Sequence, residues 1–186
     1  MVLNTDMSLH FQQIKSMKQL LSMPDKIDKS KVLSMVLHCA DISHPGKPWE
    51  MHYKWTIALL EEFFRQGDRE KKLEIQVSPL CDRNTTLVAQ SQAGFIDFIM
   101  EPSFVVLGDM LEKILLPFFE QQQKQGDADS RDDEAEYDTK AMTLQRPWDS
   151  FIKENRAEWK VRAEKEEAEK KAKAAATEAE AADKKQ

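Results

Sequence analysis

An all-α fold is what the sequence predicts: a compact multi-helix bundle followed by a charged, helical or disordered tail. Five glycines and seven prolines in 186 residues are few for a chain built on tight β-turns. Apolar residues recur at three- and four-residue spacing between these breakers. From Ala163 onward Ala, Glu and Lys dominate, a composition of high helix propensity and many i,i+4 charge pairs.

Thr5 is the expected N-cap of a first helix running to about Ser22, with Met7, Phe11, Ile14 and Met17 or Lys18 at helical spacing and Pro24-Asp25 ending it. A second helix runs from about Asp28 or Ser30 to Ile42. Val32, Leu33, Met35, Val36, Leu37, Cys39, Ala40 and Ile42 make it apolar almost all round, the mark of a buried, central helix. Pro48 suits a first helical position and Gly67 the residue just past an end, with a strong helix between them over residues 53–66. Ser78-Pro79 and Asp82-Arg83-Asn84 mark a loop, and Asn84 is placed to cap a helix from Thr85 to about Met100. Pro102 opens the next, through Phe104, Leu107, Leu111, Leu115 and Phe118 toward Gln125.

The character changes at Gly126. Residues 127–138 are acidic and rich in Ser and Asp, which reads as a solvated linker. The expected organisation is therefore a folded region over residues 1–125, an acidic linker over 126–147 and a charged tail over 148–186. Trp148, Phe151, Ile152 and Trp159 form a short apolar stripe able to dock. Beyond Ala163 there is no large apolar face to bury, so trimming there is expected to leave stability unchanged, and an a/d coiled-coil seam is missing.

The net charge of −6 argues against nucleic-acid binding, which needs a basic stripe. No run of about 18 apolar residues occurs, so no membrane span is expected. The first six residues lack a basic segment and an apolar core, unlike a signal peptide. Cys39 and Cys81 are too few for a disulfide scaffold or a cysteine zinc site, and a cytoplasmic location is expected.

Four polar residues stand out in or beside these apolar runs. Asp41 closes the run Met35-Val36-Leu37-His38-Cys39-Ala40 at a helix C-terminus, the wrong end of the dipole for an anion. A bound metal would relieve that penalty; so would simple exposure, with the carboxylate capping Ser43 or His44. His38 reads as a hydrogen-bonded core residue, whereas His44 lies in a loop beside Asp41, where functional groups concentrate. Gln92 falls inside the stripe Val88, Ala89, Phe95, Ile96 and Ile99. Its amide either bonds core backbone or meets the edge of a purine, with the Phe95 ring beside it. Trp55, Leu59 and Phe63 recur at i, i+4 and i+8, and such a stripe reads as core rather than pocket.

Together these segments resemble a known family. Leu37-His38-Cys39-Ala40-Asp41-Ile42-Ser43-His44-Pro45 is similar to the His-Ala-Asp-Leu-Ser-Asn-Pro segment of class I cyclic nucleotide phosphodiesterases. Ser91-Gln92-Ala93-Gly94-Phe95-Ile96-Asp97-Phe98 resembles the segment that holds their purine-selecting glutamine. Thr5-Asp6-Met7-Ser8, Glu61-Glu62-Phe63-Phe64-Arg65-Gln66-Gly67-Asp68 and Ser78-Pro79-Leu80-Cys81-Asp82 match in family order, over roughly residues 1–120. His44 in place of Asn, with His10-Phe11-Gln12-Gln13, looks most like the calcium/calmodulin-dependent branch.

The resemblance implies that the chain is the C-terminal part of a catalytic domain hydrolysing cAMP and cGMP to 5′-nucleotides. It implies that Asp41 ligates zinc and contacts a second metal, magnesium. Gln92 would hydrogen-bond the purine, Phe95 pack on its face, Leu59 and Phe63 line the pocket, and His44 lie beside the base. Asp6 would support the metal site from behind, and Met7 would face it. The family's His-Asn-x-x-His and His-Asp-x-x-His segments do not occur; the histidines are His10, His38, His44 and His52. The histidine general acid and most metal ligands are therefore missing, and one ligand cannot hold zinc. The expected partners are a cyclic nucleotide, the N-terminal half of the domain and, through segments absent here, calmodulin. The rival reading is a truncated isoform or helical interaction module without catalysis.

Overall fold

The computed structural model describes residues 1–23, 28–129 and 144–183. Every regular element among them is helical, as the sequence predicts. The chain divides into two compact units: Met1–Ile42 with Glu101–Pro147, and Ser43–Met100 with Trp148–Gln186.

In the first unit two short 3₁₀ turns, Val2–Thr5 and Met7–Leu9, precede helix α1, His10–Leu21. The expected start at Thr5 is thus corrected: the Thr5 hydroxyl donates back to the Val2 carbonyl, and Asp6 caps the second turn by accepting from the Ser8 N–H at 2.9 Å. Helix α1 buries His10, Ile14 and Met17, while Phe11 stays 68% exposed. Pro24 and Asp25, expected to end this helix, lie outside the described residues. Helix α2, Lys29–Asp41, starts where the sequence places it, with Asp28 accepting from the Ser30 N–H at 2.8 Å. It is not buried all round. Ser34, Met35, His38 and Cys39 face inward, whereas Leu33, Val36 and Leu37 are exposed. Its apolar excess therefore exceeds what the described residues cover.

Helix α5, Glu101–Asp129, packs on α1 and α2 and outruns the end expected near Gln125. Part of the expected linker, residues 130–143, lies outside the described residues. Where the chain returns, Arg146 donates to Asp109 at 2.8 Å and to Glu112 at 3.0 Å, fastening it to α5.

The second unit begins with a 3₁₀ turn, His44–Gly46, and helix α3, Trp49–Lys72. Gly67 does not end α3 but lies buried within it, and a β-carbon there would stand 1.9 Å from the Cys81 carbonyl oxygen. Glycine is required because the loop backbone crosses the helix at this point, not because the helix stops. The loop over residues 74–87 is then tied to α3 by charge: Arg83 to Asp68 at 2.6 Å and Lys71 to Asp82 at 2.7 Å. Helix α4 spans Val88–Phe95 and runs into a π-helical stretch, Ile96–Met100. It starts three residues later than Asn84 would cap it, because Asp82 rather than Asn84 organises the turn, accepting from the Asn84 N–H.

Helix α6 runs unbroken over Trp148–Asp183 and packs on α3, α4 and the π stretch. The docking stripe is real: Ile152 and Trp159 are buried, together with Asn155. Asn155 donates to the Pro45 and Lys47 carbonyls at 2.7 and 2.8 Å, and Arg156 pairs with Asp97 at 2.6 Å. Contact does not end at Ala163. Glu166 accepts from the Ala89 N–H at 2.9 Å, placing a carboxylate on an open N–H at the positive end of α4, a capping interaction of about 1 kcal/mol. The tail beyond Ala163 therefore makes a contact with the folded unit that its composition does not suggest.

Candidate functional site

In the second unit, α3, α4 and the loop between them enclose a cleft of about 290 Å³. His44, Leu59, Phe63, Gln92 and Phe95 all line it. The stripe expected to be core is therefore not core. Trp55 is 60% exposed, Leu59 opens onto the cleft, and the face that α3 buries is His52, Thr56, Leu60 and Gly67. An i, i+4, i+8 apolar pattern marks a face that seeks cover, and here it is the cleft wall that has it.

Gln92 is buried, yet among the described residues no backbone group engages its amide. Its Oε1 accepts from the Thr56 hydroxyl at a long 3.4 Å. The reading that ties Gln92 to core backbone therefore finds no partner among the described residues. A hydroxyl both donates and accepts, so Thr56 satisfies this amide in either orientation. Three residues on, Phe95 presents its ring to the same cleft.

Sequence reasoning missed four residues here. Leu80 lines the cleft from a turn in which its φ is +65°, a left-handed conformation unusual for a leucine. His52, Thr56 and Trp159 form the buried layer behind His44 and Gln92. The Nδ1 atoms of His44 and His52 lie 2.8 Å apart, and the Trp159 indole N–H donates to His52 Nε2 at 2.6 Å. Burial, reinforced by the positive charge of Lys47 for His44 and by His44 itself for His52, lowers both histidine pKa values to about 4. Both rings are neutral near pH 7. The polar character of His52 and Thr56 inside α3 was the available signal.

In the first unit His38 is fully buried and its Nε2 lies 2.9 Å from His10 Nδ1. Burial lowers the pKa of His38, against smaller raising effects of the Asn4 backbone and Asp41, and also lowers that of His10. This is the core histidine that the sequence suggested. Asp41 is the last residue of α2 and is exposed. His38, one turn earlier, faces His10 instead. Asp6 and Met7 are also exposed, and hydrogen bonds from Ser8 hold the Asp6 carboxyl below its usual range. Among the described residues no three His, Cys, Asp or Glu side chains come close enough to hold a metal. The donors present do not by themselves fit one.

Residues 1–121 match the family model described as 3'5'-cyclic nucleotide phosphodiesterase. The chain belongs to that family. It is 60% identical over 131 residues to the dual specificity calcium/calmodulin-dependent 3',5'-cyclic nucleotide phosphodiesterase 1C of Mus musculus, covering 70% of this chain and 19% of that one. To form 1B of Cricetulus griseus it is 51% identical over 175 residues, covering 88% of this chain and 32% of the relative. The phosphodiesterase domain of the RhoPDE fusion protein from the choanoflagellate Salpingoeca rosetta superposes with a TM-score of 0.63 at 26% identity, over 88% of this chain and 44% of that one. This chain thus spans 19% and 32% of the length of these two curated relatives. The family match stops at residue 121, so Asn155 and Trp159, both buried in the second unit, lie beyond it.

Proposed function

We propose that the complete protein hydrolyses 3′,5′-cyclic nucleotides to 5′-nucleotides, and that this chain supplies its base-binding cleft and one metal-binding aspartate. The observation that carries the reading is the cleft itself. A buried amide, Gln92, is held among the described residues by a long contact to Thr56, and lines the cleft with Phe95, Leu59 and Phe63. Such an amide suits a flat heterocycle with donors and acceptors on its edge. Adenine and guanine present reversed groups at one edge. Because Thr56 accommodates either orientation of Gln92, use of both cAMP and cGMP follows.

In the complete domain Gln92→Ala should raise KM for both nucleotides roughly ten- to a hundredfold, the loss of one buried hydrogen-bonding partner, with the metals still bound. A lowered melting temperature with unchanged KM would instead mark Gln92 as a purely structural residue.

Asp41 would be one ligand of a zinc and magnesium site that the N-terminal half of the domain completes, with Asp6 and Met7 nearby in support. Zinc in a catalytic site takes three protein ligands and a water, so the isolated chain should neither retain the metal nor turn over cAMP. In the complete domain Asp41→Ala should lower metal content and turnover together; full metal occupancy in the variant would leave Asp41 an ordinary exposed helix end. The exposed Leu33, Val36 and Leu37 on α2 are in keeping with a surface that this N-terminal half covers. Calmodulin would regulate the complete protein through other segments. A cytoplasmic setting agrees with Cys39 and Cys81 as free thiols. Among the described residues no helix is long and apolar enough to cross a membrane.

A further inference from the structure

The loop over residues 74–87 is fastened to α3 chiefly through one serine. Ser78 gives both its donors to Glu70: its N–H reaches one carboxylate oxygen at 2.7 Å and its hydroxyl the other, also at 2.7 Å. Gln66 supports the pair, donating to Glu70 at 2.8 Å and to the Ser78 hydroxyl oxygen at 3.3 Å. The Ser78 carbonyl in turn accepts from the Cys81 N–H at 3.1 Å. The loop's ion pairs, Lys71 with Asp82 and Arg83 with Asp68, are partly open to solvent, and such pairs hold little. Glu74 and Leu80 add left-handed φ angles of 56° and 65°, a conformation that surrounding contacts must sustain. Ser78 is where those contacts converge.

The next residue is Pro79. Of the seven prolines in the chain it alone follows a serine or threonine, and Ser-Pro on an irregular segment is the pattern that proline-directed protein kinases read. Residues 75–78 belong to no helix; Gln76, Pro79 and Leu80 are exposed, and Ser78 is half-buried against Glu70. Its hydroxyl is therefore freed by releasing hydrogen bonds to one carboxylate on α3, without unfolding a helix. Surface loops open locally in this way at low cost.

We propose that Ser78 is a phosphorylation site for a proline-directed protein kinase, and that phosphate there releases the loop from α3 and loosens the wall of the cleft. In the transfer the Ser78 oxygen bonds to the γ-phosphorus of ATP as the bond from that phosphorus to its bridging oxygen breaks. ADP leaves, and the hydroxyl proton passes to the kinase's base. The product has lost the hydroxyl donor and carries a charge of about −1.5 to −2 on an oxygen that stood 2.7 Å from Glu70. Hydrogen bonds from Ser78 and Gln66 hold the Glu70 carboxyl below its usual range; it is ionised near pH 7 and repels the phosphate. Lys71 and Arg83, the cations that tie this loop, are already paired with Asp82 and Asp68. Leu80, two residues beyond Ser78, lines the cleft, so a lifted loop takes part of the cleft wall with it. This last step rests on the reading of the cleft as a nucleotide site.

The 186-residue chain, incubated with a purified proline-directed kinase and ATP and then digested for mass spectrometry, should carry one phosphoryl group, on Ser78. Ser78→Ala should carry none. A native chain that stays unmodified, under conditions that modify a synthetic peptide spanning residues 72–84, overturns the site. In the modified chain, amide hydrogen exchange across residues 74–87 should quicken about tenfold, for the two hydrogen bonds lost. Unchanged exchange overturns the release. Glu70→Gln keeps an acceptor but removes the charge, so phosphate should quicken exchange less in that variant; an equal effect overturns the role given to repulsion. In the complete catalytic domain, phosphate on Ser78 should raise KM for cAMP and cGMP about three- to tenfold. A quickened loop with unmoved KM overturns the step from loop to cleft, and Gln92→Ala, which tests the purine reading by itself, shows whether that reading fails as well.

Discussion

Gly67→Ala is expected to lower the stability of this chain by about 3 kcal/mol, the upper end of the cost of overpacking. In an ordinary helix the same change would help by about 1 kcal/mol, because glycine is a poor helix former. Here the added methyl would stand 1.9 Å from the Cys81 carbonyl oxygen and 3.1 Å from its β-carbon. The obstacle is backbone and cannot swing aside. The turn that carries Leu80, held by the Cys81 N–H donating to Ser78 at 3.1 Å, would have to lift away from α3. Since Leu80 lines the cleft, the variant should lose cleft geometry along with stability. Urea unfolding of the purified chain checks this, and an unchanged or raised midpoint would show that the loop does not rest on the helix.

Acid should destabilise the chain across the range in which histidine titrates. His44 and His52 have folded pKa values lowered from 6.5 to about 4, so the unfolded chain binds their protons first. Their contribution is fully present above about pH 6.5 and is lost as the pH falls toward about 4. Each histidine that stays neutral in the folded chain costs about 1.4 kcal/mol per pH unit in that window. Burial lowers His10 and His38 in the same direction. Unfolding midpoints measured along a pH series should fall steeply over this window, and less steeply for His44→Asn, which removes one titrating ring. Superposable curves for the two proteins would show that His44 is solvated and not held neutral.

Helix α2 was legible because a local signal, Asp28 two residues before Ser30, fixes its start. Gln92 likewise stands out as a polar residue in an apolar run, and it lines the cleft. What was not legible depended on partners distant in sequence. Gly67 reads as a helix end until Cys81 is seen above it. Trp55, Leu59 and Phe63 read as core because periodicity reports a face that wants cover without saying what covers it. The inward face of α3 is instead His52, Thr56, Leu60 and Gly67. Trp159 meets His52 across 107 positions, and no window of local sequence contains both. The tail was underestimated for a similar reason: beyond Ala163 its composition describes a solvated helix, and a single carboxylate on the end of α4 leaves no compositional trace.

The second unit is assembled from two separate stretches, Ser43–Met100 and Trp148–Gln186, with part of the first unit threaded between them. For a chain made from its N-terminus, this ordering has a temporal meaning. Residues 44–99 leave the ribosome carrying every side chain that lines the cleft, but without Asn155 to hold the Pro45 and Lys47 carbonyls or Trp159 to hold His52. Those restraints arrive only after residues 101–147 have been synthesised, and closing a loop of that length has an entropic cost that nearest-neighbour helix contacts do not share. The cleft is thus among the last parts of the unit to mature, and until α6 docks its buried histidines and carbonyls remain open to water.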